Sequence, residues 1–555
     1  MGPVAWMDVK QAEEDRERVS TGAPALPERR TPWSPWRGLA LIGFMGAGKT
    51  TAGRALAAEL SLPWYDSDEQ VEARLGHPIA AEFEEAGEAR FREVEEQVVL
   101  ELLTGCPDQS IVSLGGGSVL SRAVRDALER YLVVLLDVDP ESAWTRARSQ
   151  SDARPLAQEK ESFDELHRQR AAIYEQLADA ILPAVSPEVC VEAMQGLAAL
   201  SRAPDGTKML WATAPSGSYP VLIGEGLVTA GGEGGCAAER AWPVADAGCQ
   251  RFCVSDENVA AIYGSRFALV QQLITFPAGE SHKTLETVER VSSALARAGM
   301  TRSDELIALG GGVVGDLAGF CAATYQRGVS CVQVPSTLVA QVDSAYGGKT
   351  GVDLPEGKNY IGAYHQPAAV IVDPSVLETL PERELAAGWV EVAKTALIAG
   401  GRLWEKVRSE EPVDVEMILS CARAKLEVVA ADERDAGARQ ALNLGHTIGH
   451  AIETVTGYER YLHGEAVGLG LLAALRLSGA AELRQWLLAA LERRGLPTDI
   501  GQLSAAQIVA ATERDKKRMR GASVPFVLVR APGQVEAGHH LERGEVLAAV
   551  EELRR

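Results

Sequence analysis

A Gly-Lys-Thr ending occurs twice, as GAGKT at Gly46–Thr50 and as GGKT at Gly347–Thr350. Such an ending is common in loops that cradle nucleotide phosphates, and the residues ahead of it decide whether it is one. The full pattern requires a glycine six positions before the lysine. Gly43 stands there for Lys49, so "GFMGAGKT" complies. An apolar strand-like run precedes it and "TTAGRALAAEL" follows, the strand and helix that such a loop needs. Gly43, Gly46 and Gly48 let backbone N–H groups turn into one concavity, and the helix start around Lys49, Thr50 and Thr51 adds partial positive charge. Lys49 is placed to neutralise β/γ-phosphates and Thr50 to hold Mg²⁺. The bland alternative is a glycine-rich turn with a chance lysine, and the agreement of pattern with context speaks against it. Six positions before Lys349 stands Asp343, and Pro355 and Gly357 interrupt any helix after it. Lys349 therefore meets a phosphate of another kind, or none.

Three further groups of residues have chemical spacing. "YDSDEQVE" places Asp66 and Asp68 two apart, a pair able to serve Mg²⁺ and a substrate hydroxyl. "LIALGGGVVGDLAGF" runs a strand into Gly311 and Gly312 and on into a helix, a setting for a dinucleotide pyrophosphate, though not the full GxGxxG pattern. "NLGHTIGHAIE" puts His446 and His450 at i and i+4 on one helical face, "LHGEA" adds His463, and "GWVEVAK" adds Glu391. A single histidine is more often a packed core residue. Two at helical spacing, with a third and a carboxylate, favour a metal.

The 555 residues suffice for two to four domains with ample core. Apolar residues make up 46 % and charged residues 24 %, ordinary for a globular protein. A net charge of −22 argues against a nucleic-acid or anionic-membrane surface, while leaving room for a local cationic pocket. Eight cysteines without a CxxC suit free thiols in a reducing cytosol. No apolar run reaches membrane-spanning length, the N-terminus has no secretory apolar region, and Trp6 spoils a myristoylation motif. The expected location is cytoplasmic.

Residues 1–36, rich in Pro, Arg, Glu and Asp, read as a disordered tail. Strand–helix alternation over 37–185 predicts a parallel sheet. Residues 186–217, including "SRAPDGTKMLWATAPSG", read as a linker. A second alternating unit spans 218–374, and 375–555 reads as almost wholly helical. The expected fold is α/β: a P-loop domain with a parallel sheet, then a Rossmann-like α/β part, then an all-helical metal- and substrate-binding part. No internal repeat is visible.

In the first unit, "YDSDEQVE", "GEARFREVE", "LGGGSVL", "DARPLA" and "HRQRAAIYEQLAD" follow the phosphate loop in order, and together they resemble shikimate kinase. The resemblance implies that Asp68 binds the shikimate hydroxyls, that Asp66 lies near Mg²⁺, and that Arg92, Arg170 and Gly115–Gly116–Gly117 bind the carboxylate. An arginine fork suits a carboxylate because it binds bidentately. Arg154 matches the lid arginine over the phosphates, and Arg148 is placed loosely near the adenine. Gluconate- and nucleoside-monophosphate-type kinases are the nearest rivals; the FR, GGG and RPL set favours shikimate.

From about 218 the chain resembles 3-dehydroquinate synthase, through "SDEN", "GESHKT", "GGGVVGDLAGF", "ATYQRG", "QVDSAYGGKTGV", "EGKNYIGAYHQP", "EVAK", "DERDAGARQALNLGHTIGHAIE", "HGEAVG" and "DKKRMRG". The resemblance implies Zn²⁺, with Co²⁺ as the alternative metal, held by Glu391, His446 and His463. It implies NAD⁺ contacts from Asp256, Asn258, Glu280, Lys283, Gly311, Gly312, Val313, Asp316, Ser336, Thr337 and Lys358. Substrate would meet Asp343, Lys349, Asn359, Lys394, Lys425, Arg439, Asn443 and His450. Arg327 and a lysine of the Lys516–Lys517 pair, Lys516 being the first candidate, would reach the substrate phosphate, Arg327 from a partner subunit of a homodimer. The implied substrate is a heptulosonate 7-phosphate. NAD oxidises its C5 hydroxyl, the new ketone acidifies the neighbouring C–H, loss of that proton expels phosphate from the next carbon, the hydride returns, and ring opening with an aldol step gives 3-dehydroquinate. Such a substrate requires lysines and arginines for a carboxylate and a phosphate together, and a cofactor for the redox step. Two residues depart from the pattern. Asp435 replaces a glutamate linked to proton transfer and is one methylene shorter, and Ser336 replaces a threonine but keeps the hydroxyl.

The two resemblances together imply a bifunctional shikimate-pathway enzyme using ATP with Mg²⁺ in one half and NAD⁺ with Zn²⁺ in the other. Three other readings stand beside it, one of them a sugar-phosphate cyclase in the second half. A polyol dehydrogenase of similar NAD/metal architecture needs no phosphate-binding lysines, so "GGKTG" and "EGKN" speak against it. A non-catalytic regulatory half is disfavoured by intact Lys49, Asp68, Glu391, His446 and His463.

Overall fold

Four consecutive buried apolar residues form β1 (Leu39–Ile42), as a strand covered on both faces requires. The computed structural model describes residues 35–149, 159–232, 235–243, 248–518 and 525–554. In it β1 lies in a parallel block with β2 (Trp64–Asp66), β3 (Ile111–Ser113), β4 (Leu132–Asp137) and β5 (Ala180–Pro183). The phosphate-loop glycines follow β1, and helix α1 (Lys49–Leu60) begins at the lysine itself.

The sheet does not end at β5. β6 (Lys208–Ala214) pairs with β5 in parallel, Ala180 opposite Met209 and Ile181 opposite Leu210. It then pairs antiparallel along its length with β7 (Gly217–Ile223). β7 opens a second parallel block with β8 (Arg251–Asp256), β9 (Val270–Phe276), β10 (Glu305–Gly310), β11 (Ser330–Pro335) and, after an antiparallel hairpin of β12 (Lys349–Leu354) and β13 (Gly357–Tyr364), β14 (Ala369–Val372). The result is one twelve-stranded sheet in the order β9-β8-β10-β11-β14-β7-β6-β5-β4-β1-β3-β2.

The stretch 186–217 thus differs from the linker expected of it. It holds helices at Val189–Glu192 and Met194–Leu200 and the whole of β6. The second unit begins at β6, because cutting at 218 would divide a hairpin. Gly196 shows how closely this stretch packs: a Cβ there would come within 2.9 Å of Met209 and Pro220. The expected tail, residues 1–36, lies almost wholly outside the described residues.

Beyond the sheet the chain is helical, with α2 (Ser67–Leu75), α3 (Gly87–Gly105) and α4 (Lys160–Leu177) in the first unit and α5 (Gly312–Thr324) after β10. α6 (Glu382–Ala399), α7 (Val415–Ala431), α8 (His446–Val455) and α9 (His463–Leu477) follow. A hairpin, β15 (Phe526–Ala531) and β16 (Gln534–His539), interrupts the expected all-helical end. Buried α9 packs on both buried α6 and α8, which brings distant polar residues into one place. α7 also docks on the first unit: Arg423 pairs with Asp137 at 2.7 Å and Glu175 at 2.5 Å. All eight cysteines are unpaired. No described helix is long and apolar enough to cross a membrane.

Candidate active sites

The first site is assembled around α1. Gly43, Gly46 and Gly48 take positive φ values of 142°, 82° and 84°, which side chains resist. A Cβ at Gly46 would also come within 2.7 Å of the Ala143 carbonyl. Lys49 Nζ donates to the carbonyls of Gly43 and Phe44 at 2.9 and 3.2 Å, so its ammonium lies across the mouth of the loop. Thr50 Oγ1 donates to Asp66 Oδ2 at 2.7 Å, and Asp66 Oδ1 caps α2 by accepting from the Asp68 backbone. A hydroxyl and a buried carboxylate beside a phosphate loop fit Mg²⁺, which takes few protein oxygens. Thr51 is exposed in the same turn.

The acceptor side lies against Gly115–Gly117. A Cβ on Gly115 would approach Asp68 Oδ1 within 2.5 Å, and one on Gly117 would fall inside the Arg92 guanidinium. Arg92 is forked between Glu88 at 3.0 Å and Glu95 at 2.6 Å. Arg170 is buried, donates to the Gly116 carbonyl at 3.3 Å, and has Nε without a partner. A buried guanidinium with a spare donor fits an incoming carboxylate. Asp68, Arg92, Arg170 and the glycine turn therefore share one place. Arg148 is exposed, 5.4 Å over the Trp144 ring. Arg154 lies outside the described residues.

Two residues of this site escaped the sequence reading. Glu95 is buried and holds both Arg92 and Ser118 Oγ, the latter at 2.9 Å. Its signal was the i,i+3 spacing from Arg92 on α3. Arg146 donates to the carbonyls of Gly46 at 3.4 Å and Ala184 at 2.9 Å, which ties the phosphate loop to the end of β5.

The second site gathers at α6, α8 and α9. Candidate ligand atoms of Glu391, His446 and His463 all lie within 4.8 Å of one another. Glu391 Oε1 is 3.5 Å from His463 Nε2 and 3.8 Å from His446 Nε2. Neither Glu391 oxygen accepts a well-formed hydrogen bond, although the side chain is wholly buried and Lys394 Nζ lies 2.6 Å from Oε2. Burial works to raise the Glu391 carboxyl, but Lys394 and then His446 outweigh it and hold it well below the usual carboxylate range. Burial and the Lys394 charge lower His446 to about 3, leaving a neutral ligand. Burial also opposes charge on His463, yet hydrogen bonds and charge from Glu391 and Glu453 raise it to about 10. A buried carboxylate facing two imidazole nitrogens is a site that attracts a cation, and O/N donors of this kind fit Zn²⁺. His450 is exposed, with its ring 5.2 Å from that of His446 and 5.9 Å from that of His463. Dense surroundings, and after them the His463 charge, hold its imidazole below the ordinary value.

Cationic side chains surround this cluster. Lys425 Nζ pairs with Asp343 Oδ1 at 2.7 Å and donates to the Asp343 carbonyl at 2.5 Å. Burial works to raise Asp343, but Lys425 and Lys394 overcome it and bring it down to about 2. Lys425 itself sits below its ordinary value, burial outweighing Asp343. Lys349 Nζ pairs with Asp435 at 2.6 Å, so the shorter side chain still reaches a partner. Asp435 holds a positive φ of 61° and keeps Oδ1 without a partner. Buried Arg439 donates to the carbonyls of Glu433 at 2.6 Å and Gly347 at 3.3 Å. Asn443 is exposed.

The dinucleotide candidates form the next layer. Gly311 and Gly312 lie at the start of α5, and a Cβ on Gly311 would come within 2.8 Å of Thr337. Ser336 Oγ is buried beside them without a partner, which fits a hydroxyl kept for a ligand, and Val313 packs in the first turn. Asp256 caps its helix through the N–H groups of Asn258 and Val259. Lys283 pairs with Asp316 at 2.6 Å and Glu280 at 3.8 Å, and donates to Asn359 Oδ1 at 2.6 Å. Lys358 lies 3.3 Å from Glu280 and 3.2 Å from Glu453. Arg327 is exposed at φ 72° in the turn Tyr325–Arg327, and no hydrogen bond or ion pair joins it to the cluster among the described residues. The Lys516 side chain lies outside them.

Comparison with known proteins bears on both sites. The family model for shikimate kinase matches residues 45–195. Those for the N-terminal and C-terminal parts of 3-dehydroquinate synthase match 273–387 and 388–518. A 3-dehydroquinate synthase of Halorhodospira halophila is 47 % identical over 343 residues, 58 % of this chain and 93 % of that one. One of Symbiobacterium thermophilum is 41 % identical over 362 residues, 61 % of this chain and 98 % of that one. Among solved structures, 2-epi-5-epi-valiolone synthase of Streptomyces hygroscopicus subsp. jinggangensis, with NAD⁺ and Zn²⁺ bound, is similar at a TM-score of 0.54. It is 26 % identical, over 62 % of this chain and 98 % of that one.

Proposed function

For a chain that belongs to the 3-dehydroquinate synthase family and carries a shikimate kinase domain ahead of it, we propose a bifunctional enzyme of the shikimate pathway with specific substrates at each site. The first half phosphorylates the 3-hydroxyl of shikimate from ATP. The second converts 3-deoxy-D-arabino-heptulosonate 7-phosphate to 3-dehydroquinate and phosphate. The two reactions are not successive in the pathway, so channelling between the sites is not part of the proposal.

In the kinase site Lys49 and the loop N–H groups hold the transferred phosphoryl group, and Thr50 with Asp66 would hold Mg²⁺. Arg92 and Arg170 fix the shikimate carboxylate, and Asp68 orients the accepting hydroxyl and takes its proton. Arg154 closes over the phosphates.

In the synthase site Glu391, His446 and His463 would hold Zn²⁺, and the glycine turn at Gly311 with Ser336, Thr337, Asp256 and Lys283 would hold NAD⁺. When bound, the metal polarises a substrate oxygen and the dinucleotide takes up and returns a hydride. Lys394, Lys425 and Arg439 bind substrate anions, relayed by Asp343. Lys349 and Asp435 form an ion pair at the rim that assists proton transfer, and exposed His450, neutral near pH 7, is suited to carrying a proton. Arg327 of a homodimer partner completes the phosphate site. Eight unpaired thiols suit a cytoplasmic setting.

The observation that carries the synthase reading is a buried, unsatisfied Glu391 carboxylate facing two imidazoles, with Lys394 and Lys425 beside it. The test is stoichiometry: heptulosonate 7-phosphate with NAD⁺ should release phosphate while NADH does not accumulate. Net NADH formation without phosphate would make this a dehydrogenase and overturn the reading.

A further inference from the structure

Glu453 has no role in the account so far. It lies one helical turn beyond His450 and two beyond His446 on α8, and it is 2 % exposed. Its Oε1 faces His463 Nδ1 at 3.4 Å and Lys358 Nζ at 3.2 Å, while Oε2 has no partner. The other nitrogen of His463, Nε2, points at Glu391. His446 is arranged alike: Nδ1 faces the Leu444 carbonyl at 3.2 Å, and Nε2 faces the same Glu391 oxygen. Each imidazole is thus pinned through Nδ1 and presents Nε2 to one carboxylate. Lys358 in turn reaches Glu280, among the residues assigned to the dinucleotide.

We propose that Glu453 is a positioning residue shared by the metal and dinucleotide sites, fixing the Nδ1–H form of His463 and the ammonium of Lys358 with one carboxylate. This rests on the metal reading given under the proposed function. The physical ground is that an imidazole ligand whose far N–H is held by a carboxylate keeps its tautomer and orientation, and loss of such a partner typically weakens metal binding about 10–100-fold. A buried carboxylate accepting from two donors also makes their positions interdependent. The rival role is direct ligation, since atoms of His450, Glu453 and His463 also lie within 4.8 Å of one another.

The experiment uses the full-length chain, with Zn²⁺ affinity read by chelator competition without substrate, and NAD⁺ affinity read separately on zinc-loaded protein. ATP-dependent shikimate phosphorylation reports that the rest of the chain is folded. Glu453→Ala should weaken zinc about 10–100-fold and weaken NAD⁺ as well. Glu453→Gln keeps an acceptor oxygen for His463 Nδ1–H and should recover most of the zinc affinity but not the NAD⁺ affinity. Lys358→Met should weaken NAD⁺ and leave zinc within about threefold. Wild-type zinc affinity in Glu453→Ala, or no recovery in Glu453→Gln, overturns the inference. So does a zinc loss in His450→Ala as large as in Glu453→Ala, which would make Glu453 a ligand. If His446→Ala and Glu391→Gln both retain zinc, it is the metal reading beneath that fails.

Discussion

Replacing Gly117 by alanine should separate the binding of shikimate from that of ATP. Gly117 has φ −98° and ψ −15°, a conformation alanine adopts without strain. Its new Cβ would fall inside the Arg92 guanidinium, 2.6 Å from the far nitrogen Nη2. The obstacle is the end of a flexible side chain, so the fold survives and the guanidinium swings away. Arg92 then leaves Glu95, which keeps only Ser118. If Arg92 holds the shikimate carboxylate, the loss is that of a charge-assisted hydrogen bond, about 1.5–3 kcal/mol. At about 1.4 kcal/mol per tenfold, the shikimate KM should rise roughly 10–150-fold. The ATP KM should stay within about twofold, because the role proposed for Lys49 and the loop N–H groups in holding the phosphates does not involve Arg92. Steady-state ADP release with each substrate varied in turn gives both numbers. An unchanged shikimate KM would refute the role given to Arg92, and an equal rise in both would refute the separation of the two subsites.

Lys349→Ala should leave binding of an ATP analogue unchanged and weaken a phosphonate analogue of the heptulosonate substrate, because Lys349 pairs with Asp435 and not with the phosphate loop; titration calorimetry with both ligands decides it, and selective loss of the ATP analogue would contradict it. Asp343 titrates near 2 in the folded chain against an ordinary 3.8, so its pairing contributes about 2 kcal/mol above the ordinary value, lost as pH falls from there through about 2. The stability gap between wild type and Lys425→Met, followed by chemical denaturation, should therefore narrow as pH falls from 6 to 2, with Lys394 still acting on Asp343 in the variant, and a constant gap would be the contrary result. Arg423→Ala removes the ion pairs to Asp137 and Glu175 that join α7 to the first unit. Calorimetry should show a loss of about 1–2 kcal/mol and a broader or divided unfolding transition, whereas an unaltered sharp transition would mean the junction lies elsewhere.

What the sequence revealed follows the range of the interactions. The phosphate loop was legible because Gly43, Lys49 and Thr50 act through one strand–turn–helix connection. The metal candidates were half legible. Helical spacing alone proposes His446 with His450, whereas the nitrogens facing Glu391 belong to His446 and His463, on two helices that meet by packing. Only family resemblance could choose that pair. Strand β6 was hidden because "KMLWATA" is bracketed by Pro204-Asp-Gly and Pro215-Ser-Gly, whose turn chemistry made the segment look like a linker. Its partner β5 lies across a helical connection, so pairing there is a tertiary event. The Lys349–Asp435 and Arg423–Asp137 pairs join residues 86 and 286 apart, beyond any local pattern. Glu453 and Glu95 were legible at i+3 from His450 and Arg92, but a lone glutamate on a helix has too many solvated counterparts to stand out.

The central claim is that one polypeptide performs both reactions, and the direct measurement assays both on one purified sample. Full-length protein, loaded with Zn²⁺ and supplied with NAD⁺, Mg²⁺ and ATP, is divided between shikimate and heptulosonate 7-phosphate, beside Lys49→Ala treated alike. The account predicts that wild type forms shikimate 3-phosphate and 3-dehydroquinate in constant ratio across the chromatographic peak. Lys49→Ala should lose the first product and keep the second. A sample that forms only one of the two products, or a Lys49→Ala variant that loses both, would contradict it.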